Sequence, residues 1–231
     1  MPDMSITGIS SMATRQVLAD LADAYTLRTG QRVAIKSVGG VAALRCVEDG
    51  KVFDIVVLAS NALDKLAHAG RIDNASRVSL ARSGVSVAVK AGARHPSIQS
   101  EADVRQAVLV ARSIGYSTGP SGAHLMRVFE RWGILNDVAS RIVQAPPGVA
   151  VGTLIARSEV ELGFQQTSEL IGLDGIDVLG PLPAEIQALT VFQGAICTNA
   201  RFPERARELL AFMSAPEADE VKRSHGMEPV R

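Results

Sequence analysis

The sequence predicts an α/β protein whose mixed, mostly parallel sheets are flanked by helices, and three observations carry that reading. Short β-branched runs alternate with amphipathic helical segments along the whole chain. Hydrophobic residues make up 47% of the 231 positions and aromatics only 4%, so the apolar content is chiefly Ala, Val, Leu and Ile, as in helix-covered parallel sheets. The segment Asp54–Leu58 (DIVVL) is apolar on both faces, the pattern of a strand buried between two layers.

In chain order, Ser5–Ile9 reads as a strand and residues 13–29 as a helix with Val17, Leu18, Leu21 and Tyr25 on one face, stopped by Gly30. Val33–Ser37 is a second strand. Residues 41–49 form a short helix ended by Gly50, and Asp54–Leu58 is the third strand. Ser60 caps a helix running to about Ala69, closed by Gly70. The alternation of Ser83–Val89 (SGVSVAV) suits a strand leaving the first sheet for a second unit.

The same grammar then restarts. Ser100 caps a helix over Glu101–Ala111, and Ile114–Tyr116 is a strand. Ser121 opens a helix carrying Leu125, Val128, Phe129 and Trp132 at i, i+3, i+4 and i+7. Residues 141–144 form a strand, Ala150–Arg157 a helix and Glu161–Phe164 a strand. Val178–Gln187 (VLGPLPAEIQ) holds two prolines in an extended stretch, which fits a crossing between units. Leu189–Cys197 is again strand-like. The end is helical, with Pro203 near one helix start and Pro216 opening a last helix before Gly226.

Composition excludes several classes of function. Lys+Arg and Asp+Glu both number 24, so no excess of cations is present to neutralise a phosphate backbone, and nucleic acid is not expected as a partner. Apolar runs such as Ile55–Ala59 fall far short of the roughly 20 residues of a membrane-spanning helix. The opening MPDMSITGIS has neither the basic nor the apolar region of a secretory signal. A cytoplasmic location is therefore expected for the chain as written, and a periplasmic one if a signal has been removed. Cys46 and Cys197 have no CxxC spacing and no clustered His, so two buried thiols are expected, with no metal and no cofactor.

In open parallel sheets ligands bind beyond the carboxyl ends of the strands, where helix N-termini point inward. The joints at those ends share one chemistry. In the first unit they hold Ser10, Ser11, Gly39, Gly40 and Ser60. In the second they hold Thr118, Ser121 and Gly122, then Pro147, Gly148 and Val149, then Gln165 and Gln166. Unpaired N–H groups at the helix starts that follow make an anion site that needs no Arg or Lys. Ser and Gly at joints also serve as ordinary caps and turns. No GxSxG, Walker, HExxH or GxGxxG motif is present. His124, just inside the helix opened at Ser121, could reach a bound carboxylate, and Glu169 is the nearest carboxylate that could act as a base.

At these joints the sequence resembles the ModA-like, molybdate-binding branch of the type 2 periplasmic binding proteins. The resemblance runs through GISSM, RTGQRV, GGVAAL, EDGKVFDIVVLAS, PSGAHL, RSEVELGFQQTSEL, VLGPLPAEIQ and LLAFMSAPEADEVKRSHGMEP. It implies a two-lobed fold closing on a small anion and joined by two crossing hinge strands. The lobes are then 1–82 with 186–231, and 83–185, with hinges at VLGPLPAEIQ and near Arg82–Val85. The partners implied are a small anionic ligand, an oxyanion or a small carboxylate, and an ABC permease if the chain is exported. In molybdate binders two serines donate hydroxyls to the oxyanion. Ser11 or Ser10 matches the first, whereas Gly39 or Gly40 stands at the second. Ser121 and Val149 match two further positions, and Gln166 replaces a tyrosine. The changes argue against molybdate and tungstate and towards a planar carboxylate or carboxamide. The same superfamily includes aconitate isomerase-like proteins, in which this fold performs a 1,3-proton shift on a tricarboxylate.

Overall fold

In the computed structural model, which describes residues 4–230, the alternation within DIVVL sets the layers of the first unit. Strand β3 (Ile55–Ala59) is buried at every position. Ile55, Val57 and Ala59 point into one cluster and Val56 and Leu58 into another, so helices must cover both faces. Helix α1 (Arg15–Thr29) covers the first face, lending Val17, Leu18, Leu21 and Tyr25. Helices α2 (Gly40–Glu48) and α3 (Ser60–His68) cover the second with Ala43, Val47, Leu63 and Leu66. The remaining strands of this part are β1 (Ile6–Ser11), β2 (Val33–Val38) and β4 (Ile72–Ser83).

A second sheet, of five strands against the six of the first, begins with β5 (Val85–Lys90). Helix α4 (Glu101–Val110) starts on a complete capping box: Asp103 N donates to Ser100 Oγ at 3.2 Å and Ser100 N to Asp103 Oδ2 at 3.1 Å. Then follow β6 (Ile114–Tyr116), α5 (Pro120–Arg131), α6 (Leu135–Val138), β7 (Ile142–Gln144), α7 (Val151–Ala156), β8 (Leu162–Gln166), α8 (Thr167–Leu170) and β9 (Ile176–Pro181). Val85, Val87 and Val89 pack under α4 and α5, while Ala88 packs under α7. The chain returns to the first sheet through β10 (Thr190–Cys197), α9 (Pro203–Ser214), α10 (Asp219–Ser224) and β11 (Glu228–Pro229).

The strand orders are β11-β4-β10-β3-β1-β2 and β7-β6-β8-β5-β9. Both sheets are mixed. Pairing is parallel through β3-β1-β2 and through β7-β6-β8, and antiparallel between β3 and β10, β8 and β5, and β5 and β9. The carboxyl ends of three parallel strands therefore line one edge of each sheet. Among the described residues no helix is long and apolar enough to cross a membrane.

The chain divides into two compact units, residues up to Arg82 with those from Val191 onward, and Ser83–Thr190. The return boundary lies at 190/191 instead of the expected 185/186, because residues 186–190 are tied to the second unit. Ile186 is buried in its core, and Gln187 bonds Val85 through both its amide oxygen (2.8 Å) and its nitrogen (3.0 Å). The stretch expected to be a crossing, Val178–Gln187, instead supplies most of β9. Pro181 ends β9, the outermost strand, where a missing N–H breaks no ladder, and Pro183 lies beyond the strand. Two expected caps also differ. Ser60 is the first residue of α3 itself, and α5 is entered through Gly119 and Pro120 with Ser121 inside its first turn.

Candidate functional site

In the first unit, Ser10 and Ser11 end β1 and face opposite ways. Ser10 Oγ lies 2.8 Å from Ser37 Oγ and 3.2 Å from Ser11 O, so its hydroxyl is spent within the sheet. Ser11 is 7% exposed, and its hydroxyl has no hydrogen-bond partner among the described residues. A buried hydroxyl without a partner costs free energy, and such a group is a natural place for a ligand atom. Gly40, the first residue of α2, stands beside it: a Cβ built on Gly40 would lie 3.8 Å from Ser11 Cβ. No side chain caps α2, whose N-cap is Gly39, so its first N–H groups remain available next to Ser11. Ser60 opens α3 at the neighbouring strand end, and its carbonyl accepts from Arg77 Nη2.

In the second unit, Thr118 is exposed in the loop leading to α5, and Ser121 Oγ sits 3.0 Å from Ser117 Oγ. Gly122 is fixed by packing: a Cβ there would approach Ser117 O to 1.8 Å, a distance no side chain tolerates. Between β7 and α7 the chain turns through Pro147 and Gly148, the latter at φ 83°, and Val149 N donates to Pro146 O at 3.0 Å. His124 on α5 donates from Nε2 to Ile186 O at 2.7 Å, which leaves Nδ1 as the acceptor of the neutral ring.

The two glutamines of β8 separate, as neighbours on a strand must. Gln166 accepts at its amide oxygen from Thr190 Oγ1 (2.7 Å) and donates from its nitrogen to Ser83 O (3.0 Å) and Gly84 O (3.1 Å). It braces both ends of this unit's chain and its amide is not a free donor. Gln165, 1% exposed, turns to the other face. Its oxygen accepts from Val151 N at 2.7 Å, at the first residue of α7, and its nitrogen donates to Glu169 Oε1 at 2.9 Å.

Glu169 is the carboxyl group that stands out. It is half-buried on α8, and burial pushes its pKa up to about 7, against the opposing effect of the Gln165 hydrogen bond. Ser168 beside it carries a second buried hydroxyl without a partner among the described residues. The buried Asp54 is a carboxylate of the other kind. It accepts from Thr7 N (2.7 Å), Thr7 Oγ1 (2.8 Å), Arg201 N (2.7 Å) and Phe202 N (2.9 Å). Burial raises its pKa, these donors outweigh burial, and the group is held below the ordinary carboxylate range. Nothing in the sequence pairs Asp54 with Arg201, or Gln165 with Val151. The signal lies in backbone N–H groups, which carry no residue identity.

The comparisons agree with this architecture. A family model described as a bacterial extracellular solute-binding protein matches residues 6–228. The chain belongs to that family. Over 237 aligned residues, 99% of this chain and 89% of the relative, it is 33% identical to an aconitate isomerase of Pseudomonas sp. Among solved structures, the periplasmic molybdate-binding protein of Azotobacter vinelandii superposes with a TM-score of 0.83 at 20% identity, covering 98% of this chain and 100% of that one. The sulfate-binding protein of Mycobacterium tuberculosis H37Rv gives 0.79 at 16% identity, covering 98% and 87%. The two solved structures share the periplasmic-binding-protein fold with this family member.

Proposed function

We propose that this solute-binding protein takes a small unsaturated polycarboxylic acid of the aconitate class and moves a proton along it. The observation that carries the reading is Glu169, a half-buried carboxyl whose pKa of about 7 sits where one group serves as base and then as acid. The aconitate isomerase relative supports it. The first unit, taken by itself, offers an anion the Ser11 hydroxyl and the first N–H groups of α2. Ionised Glu169 takes a proton from the methylene next to the double bond, the C–H electron pair becomes the new double bond, and the old one shifts its electrons to the far alkene carbon. Glu169 then returns its proton there. Atoms and charge balance, and no cofactor takes part.

The test is incubation of the protein with cis- and trans-aconitate in D₂O, followed by proton NMR. Interconversion is expected, with deuterium entering to the extent that the proton on Glu169 exchanges with solvent before it is returned. A second reading, a receptor without chemistry that works with a permease, is favoured by the family itself. It predicts that tricarboxylates or oxyanions stabilise the fold, by about 2.7 kcal/mol at a hundredfold excess over Kd, with no exchange. Absence of both exchange and stabilisation would sink the two readings together.

A further inference from the structure

We propose that Gln165 is the positioning residue of this site, holding the Glu169 carboxyl in place and keeping it a proton acceptor without itself touching the ligand. The inference rests on the reading of Glu169 as the proton-transfer group. Gln165 is 1% exposed and both ends of its amide are engaged within the fold. The Val151 N–H can only donate, so the amide oxygen must face it, and the NH₂ must then face Glu169. The orientation is dictated by the backbone of α7, and the carboxyl inherits it through one hydrogen bond of 2.9 Å. That donor occupies Oε1, so the oxygen left to exchange a proton is Oε2.

The electrostatic surroundings leave this bond as the dominant adjustable influence. Helix α8 packs on β5, β8 and α7. The charged residues at those elements are Lys90, whose Nζ goes to Ser158 Oγ at 2.7 Å; Glu161, held by Arg112 N at 2.6 Å; and Arg157, just past the end of α7. Burial pushes the Glu169 carboxyl up and the Gln165 hydrogen bond pulls it back down. A donor facing the carboxylate stabilises its ionised form, whereas an acceptor in the same place stabilises the protonated form.

The decisive variant is Gln165→Leu, which removes the donor facing Glu169 and adds no charge. If Gln165 merely satisfies the α7 backbone, this change leaves the titration of Glu169 where it was. If Gln165 tunes Glu169, the lost donor moves the midpoint up. Exchange of aconitate at neutral pH then falls and recovers as pH is raised. Gln165→Glu, which keeps an oxygen for the Val151 N–H, sets a second carboxyl against Glu169, and the pair should share a proton and titrate higher still. Circular dichroism checks that each variant is folded. Carbon-13 NMR of glutamate-labelled protein reads the midpoint without any substrate. An unchanged midpoint in folded Gln165→Leu overturns the inference even if wild-type protein isomerises aconitate. A shifted midpoint in a protein that isomerises nothing would leave Gln165 as the tuner of Glu169 and remove the reaction.

Discussion

Ser10 and Ser11 adjoin on one strand, yet they are different chemical objects. Ser10 trades its hydroxyl with Ser37 across two parallel strands, while Ser11 buries a hydroxyl that has no partner among the described residues. Removing a group whose partner stays behind is costly, and removing one without a partner is not. Ser10→Ala should therefore destabilise the protein by about 1 kcal/mol, whereas Ser11→Ala should leave the unliganded fold unchanged or slightly more stable. The order reverses for ligand. If Ser11 meets a carboxylate, its loss should weaken binding about tenfold or more, the worth of a hydrogen bond to a charged group. Urea denaturation and isothermal titration with a tricarboxylate check the two halves. A Ser11→Ala protein that loses stability but no affinity would count against Ser11 as a ligand residue.

At the scale of elements, Gly122 shows how a joint that reads as ligand chemistry can be packing. The first turn of α5 runs so close to Ser117 that any β-carbon at Gly122 would collide with the Ser117 carbonyl. Gly122→Ala should cost about 3 kcal/mol, the top of the ordinary range for an overpacked site because the obstacle is backbone, and the loss of helix start should show in denaturation midpoints. The order of elements was legible because DIVVL and the 3.6-residue patterns of α1 and α5 carry strong signals. Strand β4 was not, because its sequence IDNASRVSLARS is polar at most positions and buries few of them, among them Ile72, Ser76 and Leu80. The candidate site was legible only as a set of joints. Which of two adjacent serines has a free hydroxyl, and which of two adjacent glutamines turns to Glu169, depends on strand facing and on backbone partners.

For the whole molecule, the two unusual carboxyls pull stability in opposite directions as pH changes. Asp54 has a lowered folded pKa, so its contribution is present above its unfolded value and is lost as pH falls through the folded one. Glu169 has a folded pKa raised from 4.5 to about 7, so its effect is the reverse. Below pH 4.5 it costs nothing, and as pH rises through about 7 the fold must ionise a half-buried acid. The full cost above that point is at most about 3 kcal/mol at 1.36 kcal/mol per unit. Stability should thus be greatest in mildly acid solution and decline towards pH 8. Glu169→Gln deletes the titration yet keeps an oxygen for the Gln165 donor, so it should flatten that decline and raise Tm at pH 8, with little change at pH 4.5. The same variant should abolish exchange on aconitate. The proposed proton-transfer role sets a stability cost at the reacting group, the usual trade between stability and activity. Thermal melts of both proteins across pH 4.5 to 8 separate the cases. If Glu169→Gln lowers Tm at pH 8, Glu169 is a stabilising structural anion and the proton-transfer reading loses its base.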